Sequence, residues 1–192
     1  MKLLLLALLR MCGRLWCRLQ GAEVAPTALI HGFPRIKIGR GGRVILADGC
    51  TLNCATWSNP LNDGRRTVLS AAAGAIIRLE RNSGISSSRV IAFSGITIGE
   101  NSLIGAGCLI SDSDMHEVPL QSGKPVRSVA IQVGKDVFVG AGCIILKGVT
   151  IGDGAVVGAG TVVAKDLAAG TLAVGGPLTV RRLDPTYKTS MV

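Results

Sequence analysis

Residues 109–120 read LISDSDMHEVPL, placing Asp112, Asp114 and His116 at alternate positions, and His116 is one of only two histidines in the chain. An imidazole ordinarily titrates close to neutral pH. It is therefore suited to take a proton from a hydroxyl or an amine that attacks an electrophile. A nearby carboxylate would orient that imidazole or hydrogen-bond a polar ligand. The same residues also have a plainer reading. A histidine beside a loop often makes only a structural hydrogen bond, and aspartates readily accept from the N–H groups of turns. For Asp112 and Asp114 both readings stay open.

Other chemistry finds little support. Cys12, Cys17, Cys50, Cys54, Cys108 and Cys143 include no Cys-x-x-Cys pair, and two histidines cannot supply a three-imidazole zinc centre. No metal is expected, and the cysteines read as reduced, structural thiols of a cytoplasmic protein. A net charge of +9 favours anionic partners such as phosphates, acidic glycans or lipid surfaces. With 3% aromatic residues there is no platform for stacking bases, and the basic residues are scattered, so nucleic acid is not an expected partner.

The elements that must hold these residues follow a six-residue beat. From Ile98 the chain runs IGENSL, IGAGCL, ISDSDM and, after a gap, VGKDVF, VGAGCI, ILKGVT, IGDGAV, VGAGTV, VAKDLA. Every block opens on Ile or Val, and Gly follows in six of the nine. Fifth positions are mostly small or aliphatic, Cys108 and Cys143 among them, whereas Asp114 puts an acid at such a position. Six residues make one short strand and a tight corner, so three faces close a coil of roughly 18 residues. No coil can bury its aliphatic residues alone, so coils must stack as a parallel β-helix. A looser beat runs through IKIGRGGRVILADGCTLNC and LERNSGISSSRVIAFSGITIG, on either side of an interruption at 57–66. Within the second stretch Ile85 and Ile91 keep step, and Thr97 adds one residue before Ile98. The grid lapses after Met115 until Val133. Residues 117–132, with Pro119 and Pro125, read as one protruding loop, with His116 at its exit.

Residues 1–20, MKLLLLALLRMCGRLWCRLQ, read as a short amphipathic basic helix. The apolar run Leu3–Leu9 is too short to span a bilayer, and no A-x-A cleavage pattern follows it. Arg10, Arg14 and Arg18 would share one side, with Leu8, Met11, Leu15 and Leu19 lining much of the rest. Such a helix either packs on its own protein or lies on an anionic membrane. Gly13 weakens it without excluding it.

DSDMHEVP resembles the Asp-x-Asp-x-His element of hexapeptide-repeat O-acetyltransferases, especially those acting on sugars and on capsule or exopolysaccharide units. The beat resembles their repeats over residues 35–183, which leaves 1–20 as a helix and 184–192 as a tail. The resemblance implies an all-β fold, a left-handed parallel β-helix, assembled as a homotrimer with active sites between subunits. It implies direct transfer of an acetyl (acyl) group from acetyl-CoA to a saccharide hydroxyl, with His116 as general base. Asp112, Asp114 and, in RNSGISSS, Asn82 would orient or bind the acceptor. The backbone at Ala141 and Ala159 would meet the pantetheine arm. Lys165, Arg181 and Arg182, in the closing segment KDLAAGTLAVGGPLTVRRL, would meet the coenzyme phosphates, and the loop would reach toward a neighbouring subunit. The location implied is the cytoplasm, peripheral to the membrane if residues 1–20 lie on it. Two alternatives remain: a non-catalytic β-helical scaffold or binding protein, and an acetyltransferase for a non-sugar small molecule.

Overall fold

Every sixth residue of the regular runs turns inward. Ile98, Ile104 and Ile110 on one side of the loop, and Val133, Val139, Ile145, Ile151, Val157 and Val163 on the other, are all buried. Each such side chain contributes about 1.5–3 kcal/mol by leaving water, so this column is the main source of stability. The computed structural model describes residues 2–62, 64–121, 123–175 and 179–182. Within them the strands form three parallel sheets that wind as a left-handed β-helix. Glu23–Val24, Arg43–Leu46, Ile76–Leu79, Gly95–Ile98, Ile131–Val133 and Thr150–Ile151 make the first sheet. The second runs from Leu29–His31 to Thr179–Arg182, and the third from Arg35–Ile38 to Val162–Val163. Phe138 pairs with Val156 and Ile144 with Val162, a repeat of one coil per 18 residues. The last pairing, Thr171–Val174 with Thr179–Arg182, is antiparallel.

Fifth positions supply the corners. Ser102, Cys108, Val137, Cys143, Val149, Ala155, Thr161 and Leu167 are buried, while Asp114 is only half-buried because the chain has already left the coil. All six cysteines are free thiols. Cys108 Sγ donates to the Gly140 carbonyl at 3.2 Å and Cys143 Sγ to that of Gly158 at 3.1 Å, so both act as small polar fillers of a corner. Burial pushes the Cys17 and Cys50 thiols up to about 12, which keeps them protonated and inert.

Two features differ from the sequence reading. The coil begins at Glu23 rather than at residue 35, because Glu23–Val24 and Leu29–His31 already pair with the next coil. Farther on, Val90 and Ala92 face the core and Ile91 is half-exposed. The irregularity therefore falls in Ser86–Ser88, not at Thr97. Ser88 is buried there; its hydroxyl donates to the Gly105 carbonyl and accepts the Cys108 N–H.

The N-terminal helix, Lys2–Leu19, covers the first coil. Gly13 permits this contact: a Cβ there would lie 2.8 Å from the Ile30 carbonyl oxygen and 2.9 Å from its Cβ. The glycine that weakens the helix intrinsically is the one that lets it seat on the β-helix. Arg14 Nη1 donates to the Ala28 carbonyl at 3.2 Å, Arg18 Nη2 to that of Val24 at 2.8 Å, and Trp16 Nε1 to that of Pro34 at 2.8 Å. The two arginines and the indole thus turn toward the coil rim. Leu5, Leu8, Met11, Leu15 and Leu19 form an exposed apolar stripe on the opposite side.

Candidate active site

The excursion leaves the third sheet after Leu109–Ser111 and rejoins the first at Ile131–Val133. Asp112 stands at its root with no exposed surface. Its carboxylate accepts three backbone N–H bonds, from Phe93 at 2.7 Å, Ser94 at 2.8 Å and Gly95 at 2.7 Å. The Asp112 carbonyl accepts the Val129 N–H at 2.8 Å. One residue therefore binds the corner of the coil below to both ends of the loop, through charge-assisted hydrogen bonds. Ser113 and Ser128 pair across the neck, their hydroxyls 2.9 Å apart. Above them Lys147 Nζ meets Asp114 Oδ1 at 2.5 Å, and the Asp114 N–H donates to the Arg127 carbonyl.

Past this neck Met115 adopts φ 61°, a left-handed conformation that redirects the chain, and an exposed His116 follows. His116 Nδ1 lies 3.2 Å from the Glu117 carbonyl oxygen. A carbonyl only accepts, so as a hydrogen bond this contact requires the proton on Nδ1, the tautomer in which Nε2 of the neutral ring keeps its lone pair. Among the described residues neither Asp112 nor Asp114 hydrogen-bonds to the imidazole. Their oxygens are engaged at the 93–95 corner and by Lys147. Lys147 was not apparent in the sequence. The one irregularity beside it is Leu146 at a second position usually held by Gly; Lys147 itself shares its third position with Lys135 and Lys165, so nothing in the block singles it out.

The other candidates lie on other corners. Gly105–Ala106–Gly107, Gly140–Ala141–Gly142 and Gly158–Ala159–Gly160 stack between the second and third sheets, joined by Gly142 N–H to Ala106 carbonyl and Gly160 N–H to Ala141 carbonyl bonds of 2.8 Å. A Cβ on Gly140 would fall 2.5 Å from the Ala159 nitrogen, so this close stacking requires glycine. Exposure rises up the stack, from buried Ala106 through half-buried Ala141 to exposed Ala159. Lys165 is exposed one block later. Arg181 and Arg182 belong to the closing strand, and their side chains lie outside the described residues. Asn82 occupies the corner between the first and second sheets at φ 57°, where its Nδ2 donates to Asn101 Oδ1 at 3.3 Å. Asn101 Nδ2 in turn donates to Asp136 Oδ1 at 3.0 Å. One subunit therefore holds His116, the alanine stack and Asn82 on three different corners. Among the described residues no three His, Cys, Asp or Glu side chains converge as a metal set.

The family model described as the hexapeptide repeat of succinyl-transferase matches residues 80–111 and 130–165, the two runs on either side of the excursion. The fold is that of the hexapeptide-repeat acyltransferases. Among solved structures, the chain is similar to the polysialic acid O-acetyltransferase OatWY, with TM-score 0.59 and 19% identity over 88% of this chain and 90% of that one. It is also similar to AntD, an N-acyltransferase from Bacillus cereus in complex with dTDP and 3-hydroxybutyryl-CoA, with TM-score 0.58 and 20% identity over 86% and 85% of the two chains. The polySia-specific acetyltransferase NeuO gives TM-score 0.56 and 22% identity over 85% of this chain and 76% of that one. No curated protein matches the chain.

Replacing Asp112 by Ala orphans three N–H groups and is expected to destabilise the protein by on the order of 3 kcal/mol in urea unfolding. Asp114→Asn removes a partly exposed ion pair and is expected to cost less than about 1 kcal/mol. Equal losses would contradict the division of labour between the two aspartates.

Proposed function

We propose that the protein transfers an acetyl group from acetyl-CoA to a hydroxyl of a saccharide or glycan precursor, with His116 as the general base. The observation that carries this reading is the imidazole itself, exposed and with its Nδ1 beside the Glu117 carbonyl, at the exit of the excursion between Leu109–Ser111 and Ile131–Val133. In the proposed step Nε2 takes the acceptor proton as the oxygen attacks the thioester carbonyl. The tetrahedral intermediate then collapses, and the imidazolium returns the proton to the departing thiolate. The acyl group passes directly, without a covalent enzyme intermediate.

Ala141 and Ala159 offer backbone along a glycine-lined corner to the pantetheine arm, and Lys165, Arg181 and Arg182 are assigned to the coenzyme phosphates. His116 and the alanine stack sit on opposite edges of the third sheet. A site that uses both is most simply completed by a neighbouring subunit, which supports a homotrimer with the 112–130 excursion reaching across. Asp112 positions the loop, and Asp114 with Lys147 closes its neck beside the acceptor. Asn82 would meet the acceptor from a neighbour's corner.

A cytoplasmic protein peripheral to an anionic membrane fits the exposed stripe Leu5, Leu8, Met11, Leu15 and Leu19 beside a net charge of +9. No helix among the described residues is long and apolar enough to cross a membrane.

His116→Ala is expected to lower thiol release from acetyl-CoA by about 10²–10⁴-fold on any saccharide acceptor turned over. Equal rates in the two proteins would exclude the assignment. For the membrane contact, Leu8→Glu with Leu15→Glu should reduce sedimentation with anionic phospholipid vesicles by more than about tenfold. Unchanged sedimentation would remove that contact from the account.

A further inference from the structure

A groove of about 680 Å³ runs along the start of the third sheet, below the alanine stack. Four arginines line it: Arg35 and Arg89 from the first positions of two strands, and Arg65 and Arg66 from the end of the 57–66 interruption. Trp16 of the N-terminal helix walls one side, and Ser87, Gly107 and Cys108 lie at the opposite, upper end. Among the described residues no acidic side chain lines it.

Several arginines elsewhere are engaged. Arg43 pairs with Glu23, Arg78 with Glu80 and Arg81 with Glu100, while Arg14 and Arg18 donate to carbonyl groups. In the groove Arg35, Arg66 and Arg89 hydrogen-bond to no described residue and form no ion pair. The like charges of Arg35, Arg66 and Arg89 repel one another, and an anion bound between them relieves that repulsion. Their planar forks match phosphate oxygens two at a time. The indole N–H of Trp16 is already spent on the Pro34 carbonyl, so the ring offers the groove an apolar surface.

The position of the groove bears on the reaction. Gly107 and Cys108 lead directly into Leu109–Ser111, the strand from whose far end the His116 excursion departs. Three strand residues separate the two edges, about 10 Å at ~3.3 Å per residue. A sugar attached to a phosphate group held in the groove would extend along this strand toward the excursion.

We infer that the arginine groove binds the diphosphate of a diphosphate-linked saccharide, so that the acceptor is an activated sugar rather than a free one. Its use in acetyl transfer rests on the reading of His116 above; the binding itself does not. The carrier on the other side of the diphosphate is a nucleoside or a lipid. Trp16 serves either, as a stacking surface or as the start of the apolar helix stripe.

Calorimetric titration separates these questions without turnover. Inorganic pyrophosphate, UDP, a polyprenyl diphosphate in neutral-lipid vesicles, and N-acetylneuraminic acid as a carboxylate control are titrated into the full-length protein. Pyrophosphate is expected to bind, to lose at least about tenfold in affinity in the Arg35→Ser, Arg89→Ser variant, and to bind equally in saturating coenzyme A. Tighter binding of UDP than of pyrophosphate assigns a nucleotide carrier, and tighter binding of the vesicles assigns a lipid carrier. Should the double variant fail to fold, Arg66→Ser alone provides the same comparison. Absence of pyrophosphate binding, insensitivity to the arginine changes, displacement by coenzyme A, equal binding of the carboxylate, or no gain from either carrier would overturn the inference. Loss of the His116 assignment, by contrast, would leave these titrations unchanged.

Discussion

A coil of 18 residues has too little interior to bury its own aliphatic side chains, and the rest of this molecule follows from that constraint. Ile98, Ile104 and Ile110 leave water only because Val133, Val139 and Ile145 stack on them. Backbone pairing between coils then satisfies the sheets, and the ladder tolerates extra chain only where a corner can open. The corner between the third and first sheets opens at Ser111. Asp112 makes the opening affordable in backbone terms, because its carboxylate satisfies the corner at 93–95 while its carbonyl holds the returning chain at Val129.

Regular stacking also distributes chemistry. Residues at equivalent positions of successive coils lie above one another, so each corner becomes a column with one character. One column is the Gly-Ala-Gly stack, one is the polar ladder Asn82–Asn101–Asp136, and one carries the excursion with His116. A further column of arginines, Arg35 and Arg89 on either side of Val68, forms where the third sheet begins. The rigid helix thus fixes spacing along its axis but keeps these columns apart around it. Bringing them to one substrate requires either a long ligand or a second subunit.

The beat from Ile98 onward was legible because each block repeats one physical unit: an inward aliphatic, a glycine or polar corner, and a small filler. The first coil was harder to see. Val24, Ile30 and Ile36 keep the six-residue spacing, but Ala25 and His31 stand where later blocks carry Gly. Ile91 was misassigned because Val90 beside it is equally apolar, and only the buried Ser88 reveals where the chain shortens. The two aspartates of DSDMHE look alike in sequence and diverge in structure. One faces three N–H groups from a coil 17–19 residues earlier and the other a lysine 33 residues later. The sequence left open which face of the helix meets the coil; Arg14 and Arg18 turn toward it because their side chains donate to the Ala28 and Val24 carbonyls, which an apolar face cannot satisfy. The arginine groove joins residues from the helix, the interruption and three strands, so no local pattern announces it.

The central claim is that the break in the beat at 112–130 carries the reacting centre. A crystal structure of the assembled protein with bound coenzyme A tests it most directly. The account predicts the pantetheine arm against Ala141 and Ala159 and the thiol beside a His116 imidazole of the same or a neighbouring subunit. A thiol lodged away from every His116 in the assembly would contradict it.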